Sequence, residues 1–263
     1  MVERRFFVDP GDIRGEEVAV VRGTEHHHLS RVLRLGTGDE VSVFDGAGRG
    51  FRGIVERTAG EESLVRLTSP DDRAVEPVLR LTLAQGIPHH DKMDLIVQKV
   101  TEVGVSVIVP IVGERTSVRA GRTGEWKRVE RWRRVARESA RQCGRLRVPV
   151  VCEPAGMGKF LDAEAGGPSD HRFILTPLSA DEPGAGSPVS LEMDPAAASA
   201  TLAVGPEGGW SPEEVGLAIR GGFERLTLGP RVMRTETVGI VAAALILFLA
   251  GDLGAALRGR APG

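Results

Sequence analysis

LAVGPEGGWSPEEVGLAI, residues 202–219, decides the fold. A hydrophobic run ends in Gly205-Pro206-Glu207-Gly208-Gly209, and Ser211-Pro212-Glu213-Glu214 opens a helix. Ser211 at the N-cap, Pro212 at the first helical position and Glu214 at the third form a capping box. A strand that runs through glycines into a helix belongs to an α/β sheet, and glycines at a strand's carboxyl end let a ligand approach the backbone closely. The alternative is a plain strand-to-helix turn, which rarely needs three glycines and a proline in five residues. A dinucleotide fingerprint would read GxGxxG, which GPEGGW does not, and Gly158-Lys159 runs into Phe160 without the earlier glycine of a phosphate loop. The expected guest is therefore not a nucleotide phosphate.

Downstream, LGPRVMRTETVGI (228–240) repeats the arrangement of strand, Gly-Pro and helix. Thr235 or Thr237 is suited to cap that helix, and Glu236 in its first turn suits the positive end of the dipole. Arg234, beside two glycine loops, is suited to hold a carboxylate, a phosphate or an anionic transition state.

Upstream, LRLTLAQ (79–85), a helix after Asp91 closed by Gly104, and VSVIVPIV (105–112) make one βαβ unit. The next helix, about 125–142, puts Val129, Trp132, Ala136, Ala140 and Cys143 on one stripe and leaves Lys127, Arg128, Arg131, Arg134, Arg137 and Arg141 on the remainder. Strands are expected at 148–152, 172–177, 200–205 and 223–229, and loops or partly ordered insertions at 153–170 and 179–199. SPDDRAVEP (69–77), with two prolines and three acids, marks a domain boundary. Before it the chain reads as short strands around a small barrel, with Asp45-Gly46 opening a hairpin turn. There Thr24 is expected to cap a short helix, EHHHLSRVLRL, in which Leu29, Val32 and Leu33 share a face.

At 263 residues, 41% hydrophobic and 27% charged, the chain has room for two domains. Cys143 and Cys152 are too few for a disulfide framework and lack zinc spacing, and three adjacent helical histidines, 26–28, cannot converge on one ion; no metal is expected. MVERRFFVDPGD has no apolar signal core, and the 14-residue apolar run 238–251 is short of the roughly 20 residues that span a bilayer. A buried helix and a cytoplasmic location are expected. The net charge of −2 hides a basic segment: residues 114–147 hold twelve Lys or Arg against four Glu, a local +8, so the remainder carries −10. Of the 34 basic residues 30 are Arg, which fits phosphate binding or a biased codon composition.

Three stretches in order, KMDLIVQKVTEVGV (92–105), Gly205 to Gly209 and LGPRVMRTET (228–237), resemble the RsmE family of the SPOUT superfamily. The likeness also takes in Arg4-Arg5-Phe6, HHLSRVLRLGTGDEVSVFDG (27–46), GERTSVR (113–119) and RWRRVARESARQCGR (131–145). It implies an α/β protein with a PUA-like RNA-binding β-barrel at residues 1–72 and a SPOUT methyltransferase domain at 73–263. The second domain would carry a deep trefoil knot, and the protein would be a homodimer. The implied activity is S-adenosylmethionine-dependent methylation of N3 of a uridine in the decoding region of 16S ribosomal RNA, on naked RNA or on the assembled small subunit. The alternatives are a SPOUT enzyme acting on another RNA and a non-catalytic RNA-binding module.

By the same resemblance, the cofactor loops match Leu175-Thr176-Pro177, Gly205-Pro206-Glu207-Gly208-Gly209, and Leu228, Gly229, Val232 and Met233. N3 must lose its proton, and the anion spreads charge onto the uracil oxygens, so a nearby cation lowers the barrier; Arg234 is that cation, and Glu236 is the candidate base. Arg4, Arg5, Arg31, Arg34, Arg115 and Arg145, with Arg119 and the basic helix, are the expected phosphate contacts, and Trp126 is a candidate for base stacking. His89 and His90 stand where family members often carry Lys-Gly and read as exposed loop histidines.

Overall fold

The computed structural model describes residues 4–116, 125–165, 170–177, 191–194 and 196–253. They form two compact units, residues 1–76 with 137–148, and 77–136 with 149–263.

The first unit is a six-stranded sheet curled around its own core. The strands are β1 (Arg5–Phe7), β2 (Ile13–Arg14), β3 (Val18–Arg22), β4 (Glu40–Phe44), β5 (Gly50–Ala59) and β6 (Glu62–Pro70), in the order β1-β4-β5-β6-β3-β2. Only the β1–β4 pair is parallel. Alternation sends Val41, Val43, Val55 and Val65 inward onto Phe6, Val21 and Leu29. Register shifts at Arg52/Gly53 and Val55/Arg57 bend the long β5–β6 ribbon. At Gly53 a Cβ would lie 2.6 Å from the Arg66 carbonyl oxygen, so only glycine fits the bend.

The expected helix after β3 is shorter and differently wound. α1 (Gly23–His27) starts after Arg22, with no side-chain cap from Thr24, and passes into a π-helical turn, His28–Val32. The wider turn rotates the later residues off the 3.6-residue spacing. Leu29 and Leu35 are buried, whereas Val32 and Leu33 are 56% and 41% exposed.

Two expected RNA contacts are internal. The Arg5 guanidinium donates to the Ala140 carbonyl (3.2 Å) and the Arg145 carbonyl (2.6 Å) and lies 4.2 Å from the Phe44 ring centre. Arg145 donates to Glu76 Oε2 at 3.1 and 2.9 Å, and Glu76 Oε1 accepts the amides of Leu146 and Arg147. At 3% and 4% exposure, both arginines serve the fold: Arg5 neutralises carbonyls at and beyond a helix C-terminus, where a cation is favoured.

The second unit is a parallel sheet of β7 (Arg80–Gly86), β8 (Val107–Ile111), β9 (Val150–Val151), β10 (His171–Leu175), β11 (Ser199–Val204) and β12 (Glu224–Leu226), ordered β12-β10-β11-β7-β8-β9. Its helices are α2 (Lys92–Val103), α4 (Met157–Ala165), α5 (Pro212–Arg220) and α6 (Thr235–Leu249), while α3 (Glu125–Cys143) has its first part in this unit and residues 137–143 in the other. α2 buries Met93, Ile96, Val97 and Val100, and α6 packs on α2, β7 and β11. Asp91 stands at the N-cap of α2 but makes no capping bond; its carboxylate takes Arg131 instead. On α3, Val129, Trp132, Ala136 and Ala140 are buried as their spacing predicts, while Cys143 is exposed. Residues 157–165, expected as loop, are α4, whose Met157 and Phe160 fill the core beside Phe223. Arg119 and the Trp126 side chain lie outside the described residues. No helix among the described residues is long and apolar enough to cross a membrane, and none of their His, Cys, Asp and Glu side chains cluster as a metal site.

From β7 the chain proceeds through β8 to β9 on one side, then fills the other side with β10, β11 and β12. The reversal falls between β7 and β11, and its carboxyl edge is where open α/β sheets take ligands.

The β4–β5 turn supplies a stability test. Asp45, its side chain 1% exposed, accepts the amides of Ala47 (2.8 Å) and Arg49 (3.0 Å) and Nε of Arg49 (2.7 Å). Burial raises its carboxyl, but these bonds outweigh burial and hold it below the usual carboxylate range. Asp45→Ala is expected to cost about 1–3 kcal/mol in denaturant unfolding at neutral pH. A depressed carboxyl contributes above its unfolded pKa and loses that contribution as pH falls through the folded one, so the deficit should shrink in acid. A deficit that grows on acidification would contradict this.

Candidate functional site

Three segments leave the carboxyl edge of neighbouring strands: Leu175-Thr176-Pro177 from β10, Gly205 to Gly209 from β11, and Leu228 to Met233 beyond β12. The first is tied to the residues that lead into the third, since the Thr176 amide donates to the Leu226 carbonyl (3.1 Å) and Thr227 Oγ1 donates to the Thr176 carbonyl (2.9 Å). The second is folded tightly: the Gly209 amide donates to the Pro206 carbonyl (2.9 Å), and a Cβ on Gly205 would meet the Gly209 backbone at 3.2 Å. It is fixed at its exit by the expected capping box, and Glu214 Oε1 also accepts the Glu114 amide (3.0 Å). Arg115, expected at RNA, is exposed and donates to the Gly208 carbonyl (3.0 Å).

The start of α6 departs from the capping expectation. Its N-cap is Arg234, and neither Thr235 nor Thr237 caps it. Thr235 instead donates its hydroxyl to the Gly205 carbonyl (2.6 Å) and accepts the amide of fully buried Gln85 (2.9 Å). One hydroxyl thus joins β7, the glycine loop and α6. Gln85 was not legible as a site residue; a polar side chain closing the apolar run LTLA was its one signal.

Lys92, at the first position of α2, opens the 92–105 stretch of the resemblance but carried no site role in the sequence. Its Nζ lies 2.9 Å from Glu207 Oε1 and 3.4 Å from Glu236 Oε2. Glu207 also accepts the His89 amide at 3.1 and 3.2 Å. Burial raises the Glu207 carboxyl, but Lys92 and the backbone amides outweigh it and the net shift is downward; Lys92 is raised by its bond to Glu207. His89 and His90 are exposed, as expected.

Of the remaining site residues, Leu175 and Pro206 are buried, Thr176, Gly205, Gly209, Leu228, Met233 and Glu236 half-buried, and Pro177, Glu207, Gly208, Gly229, Val232 and Arg234 exposed. Val232 is 90% exposed, an apolar side chain left uncovered on the third loop. Gly209 (φ +67°) and Gly229 (φ +71°) both have open space where a Cβ would point.

The family model for an RNA methyltransferase domain matches residues 75–247, and the model for an RNA methyltransferase PUA domain matches 21–68. Ribosomal RNA small subunit methyltransferase E of Synechocystis is 33% identical over 232 residues, covering 88% of this chain and 73% of that protein. Its counterpart in Mycobacterium tuberculosis is 32% identical over 250 residues, covering 92% and 90%. The ribosomal RNA small subunit methyltransferase E of Neisseria gonorrhoeae, solved with S-adenosylmethionine, superposes with a TM-score of 0.80 at 29% identity over 94% of this chain and 98% of that one. A methyltransferase of Legionella pneumophila, solved with the same cofactor, gives 0.81 at 28% identity, covering 94% and 97%. A domain match over most of the carboxyl-terminal unit, with relatives above 30% identity along most of their length, makes this chain a member of the RNA methyltransferase family of ribosomal RNA small subunit methyltransferase E.

Proposed function

We propose that the protein transfers a methyl group from S-adenosylmethionine to N3 of a uridine in the decoding region of 16S ribosomal RNA, as a cytoplasmic homodimer acting on the RNA or the small subunit. The observation that carries this is that three loops leave the carboxyl edge of the adjacent strands β10, β11 and β12, the β11 loop at the sheet's reversal point, with Arg234 and Glu236 immediately after the third. The residues fit the cofactor: Val232 is an uncovered apolar wall, Gly209 and Gly229 leave open space, and backbone groups of the loops are suited to an adenine edge. Leu175, Thr176, Pro177, Gly205 to Gly209, Leu228, Gly229, Val232 and Met233 would hold it. When bound, it supplies a methyl group already activated by a sulfonium leaving group.

The chain's own task is then positioning and charge stabilisation. The exposed guanidinium of Arg234 stabilises the negative charge that develops on the uracil oxygens as N3 loses its proton. Glu236, ion-paired with Lys92 through Oε2 at 3.4 Å, takes that proton. Residues 1–72 grip RNA and 73–263 carry the chemistry. Arg4, Arg31, Arg34 and Arg115 are the exposed members of the expected phosphate set. The knot is part of the same reading: β10 and β11 fill the sheet between β12 and β7, and α6 returns across β7 and β11.

The dimer reading rests on α6. Val241, Leu245, Phe248 and Leu249, spaced along one face, are 37%, 39%, 55% and 42% exposed, a stripe suited to a second copy.

Calorimetric titration with S-adenosylmethionine should show saturable binding. Small subunits from a strain lacking the enzyme should gain one methyl group on uridine N3, mapped by mass spectrometry. Arg234→Ala should lower kcat by about a hundredfold or more, as removal of one charge-stabilising donor does elsewhere. Modification of transfer RNA instead would overturn the substrate reading, and full activity of Arg234→Ala its role. Light scattering at micromolar concentration should give a dimer, and Phe248→Asp a monomer; a monomeric wild type would refute the assembly. Ribosomal RNA affinity should fall steeply with salt, less so for Arg31→Ala/Arg34→Ala.

A further inference from the structure

Lysine in the first turn of a helix opposes the macrodipole, so Lys92 has no helical reason to open α2. Its surroundings supply another reason. The ammonium sits between a carboxylate of the glycine loop, Glu207 at 2.9 Å, and one in the first turn of α6, Glu236 at 3.4 Å. These side chains are 29%, 27% and 14% exposed, so solvent screens the three charges only in part. The two segments that bracket the proposed cofactor position would otherwise present two carboxylates to each other across a small gap. With Lys92 between them, repulsion becomes a bridge. The His89 amide, three residues earlier, donates to both oxygens of the same Glu207 carboxylate.

We propose that Lys92 is a positioning residue: its ammonium fixes the Gly205–Gly209 loop relative to the start of α6, and so sets both the cofactor-binding geometry and the placement of the Glu236 carboxylate. The inference rests on the reading that these loops hold S-adenosylmethionine. It assigns Lys92 no contact with the reacting atoms. Lys92 acts through Glu207 on binding and through Glu236 on turnover, a pair of effects that a purely structural role would not produce together.

The test compares Lys92→Met, Lys92→Arg, Glu207→Gln and the Lys92→Met/Glu207→Gln double variant by calorimetry with S-adenosylmethionine, steady-state methylation and thermal unfolding. Loss of a hydrogen bond between charged groups should raise the dissociation constant about tenfold or more in Lys92→Met and in Glu207→Gln. The double variant should be no worse than the weaker single, because both remove one bridge. kcat should also fall in Lys92→Met, which frees Glu236 from its ion pair. Lys92→Arg should recover most of the binding. Should Lys92→Met fail to fold, Glu207→Gln and Lys92→Arg carry the same comparison. Wild-type binding with Lys92→Met within about twofold of it, or additive losses in the double variant, would overturn the proposal alone. Failure of the wild type to bind S-adenosylmethionine would overturn the functional reading and this proposal with it.

Discussion

Between Gly86 and Pro206 there is no room for a methyl group. A Cβ on Gly86 would stand 2.5 Å from both the ring and the backbone nitrogen of Pro206. This contact lies where β7 and β11 pair and the sheet reverses direction, and much of the site depends on it. Because the end of β7 can press against the glycine loop, Gln85 is carried within reach of Thr235, and Thr235 within reach of Gly205. Gly239 continues the theme one turn into α6, where a Cβ would meet Gln85 Oε1 at 2.9 Å. Glycine at two places where backbone approaches another element thus sets the distances over which the polar groups act.

Much of the α/β unit was legible from local chemistry. The capping box at Ser211 and the apolar spacing of α2 depend on residues a few places apart, and the structure keeps both. The misses share a different cause. Thr235 satisfies every local rule for a helix cap, yet its hydroxyl is taken by a carbonyl 30 residues earlier. Arg5 reads as a surface cation until the end of α3, far along the chain, supplies the carbonyls that bury it. Val32 and Leu33 are displaced by a π-helical turn, whose extra residue per turn no apolar pattern announces. In each case a long-range partner or an irregular winding overrode a sound local preference.

The site followed the same division. The glycine and Gly-Pro loops were visible because their residue types are unusual for their position, whereas Lys92 and Gln85 became visible only through what they touch. Lys92 carried one readable sign, a cation at the wrong end of a helix, and local rules broken in this way tend to mark function. The arginines divide likewise. Composition supplied their abundance, but only burial separates Arg5 and Arg145, which hold the barrel-like unit together, from Arg31 and Arg34, which face solvent.

The parallel sheet also imposes a timetable. Strand β11 lies between β10 and β7, and its residues pair with a strand more than a hundred positions earlier, Ser199 with Arg80. During synthesis β7 and β8 emerge well before their neighbour on the other side exists, so the β7 edge must stay unsatisfied while the intervening helices are made. Closing so long a loop is entropically slow, and an uncovered strand edge is an invitation to aggregate. Newly made chains therefore pass through a vulnerable interval that ends only when β11 arrives.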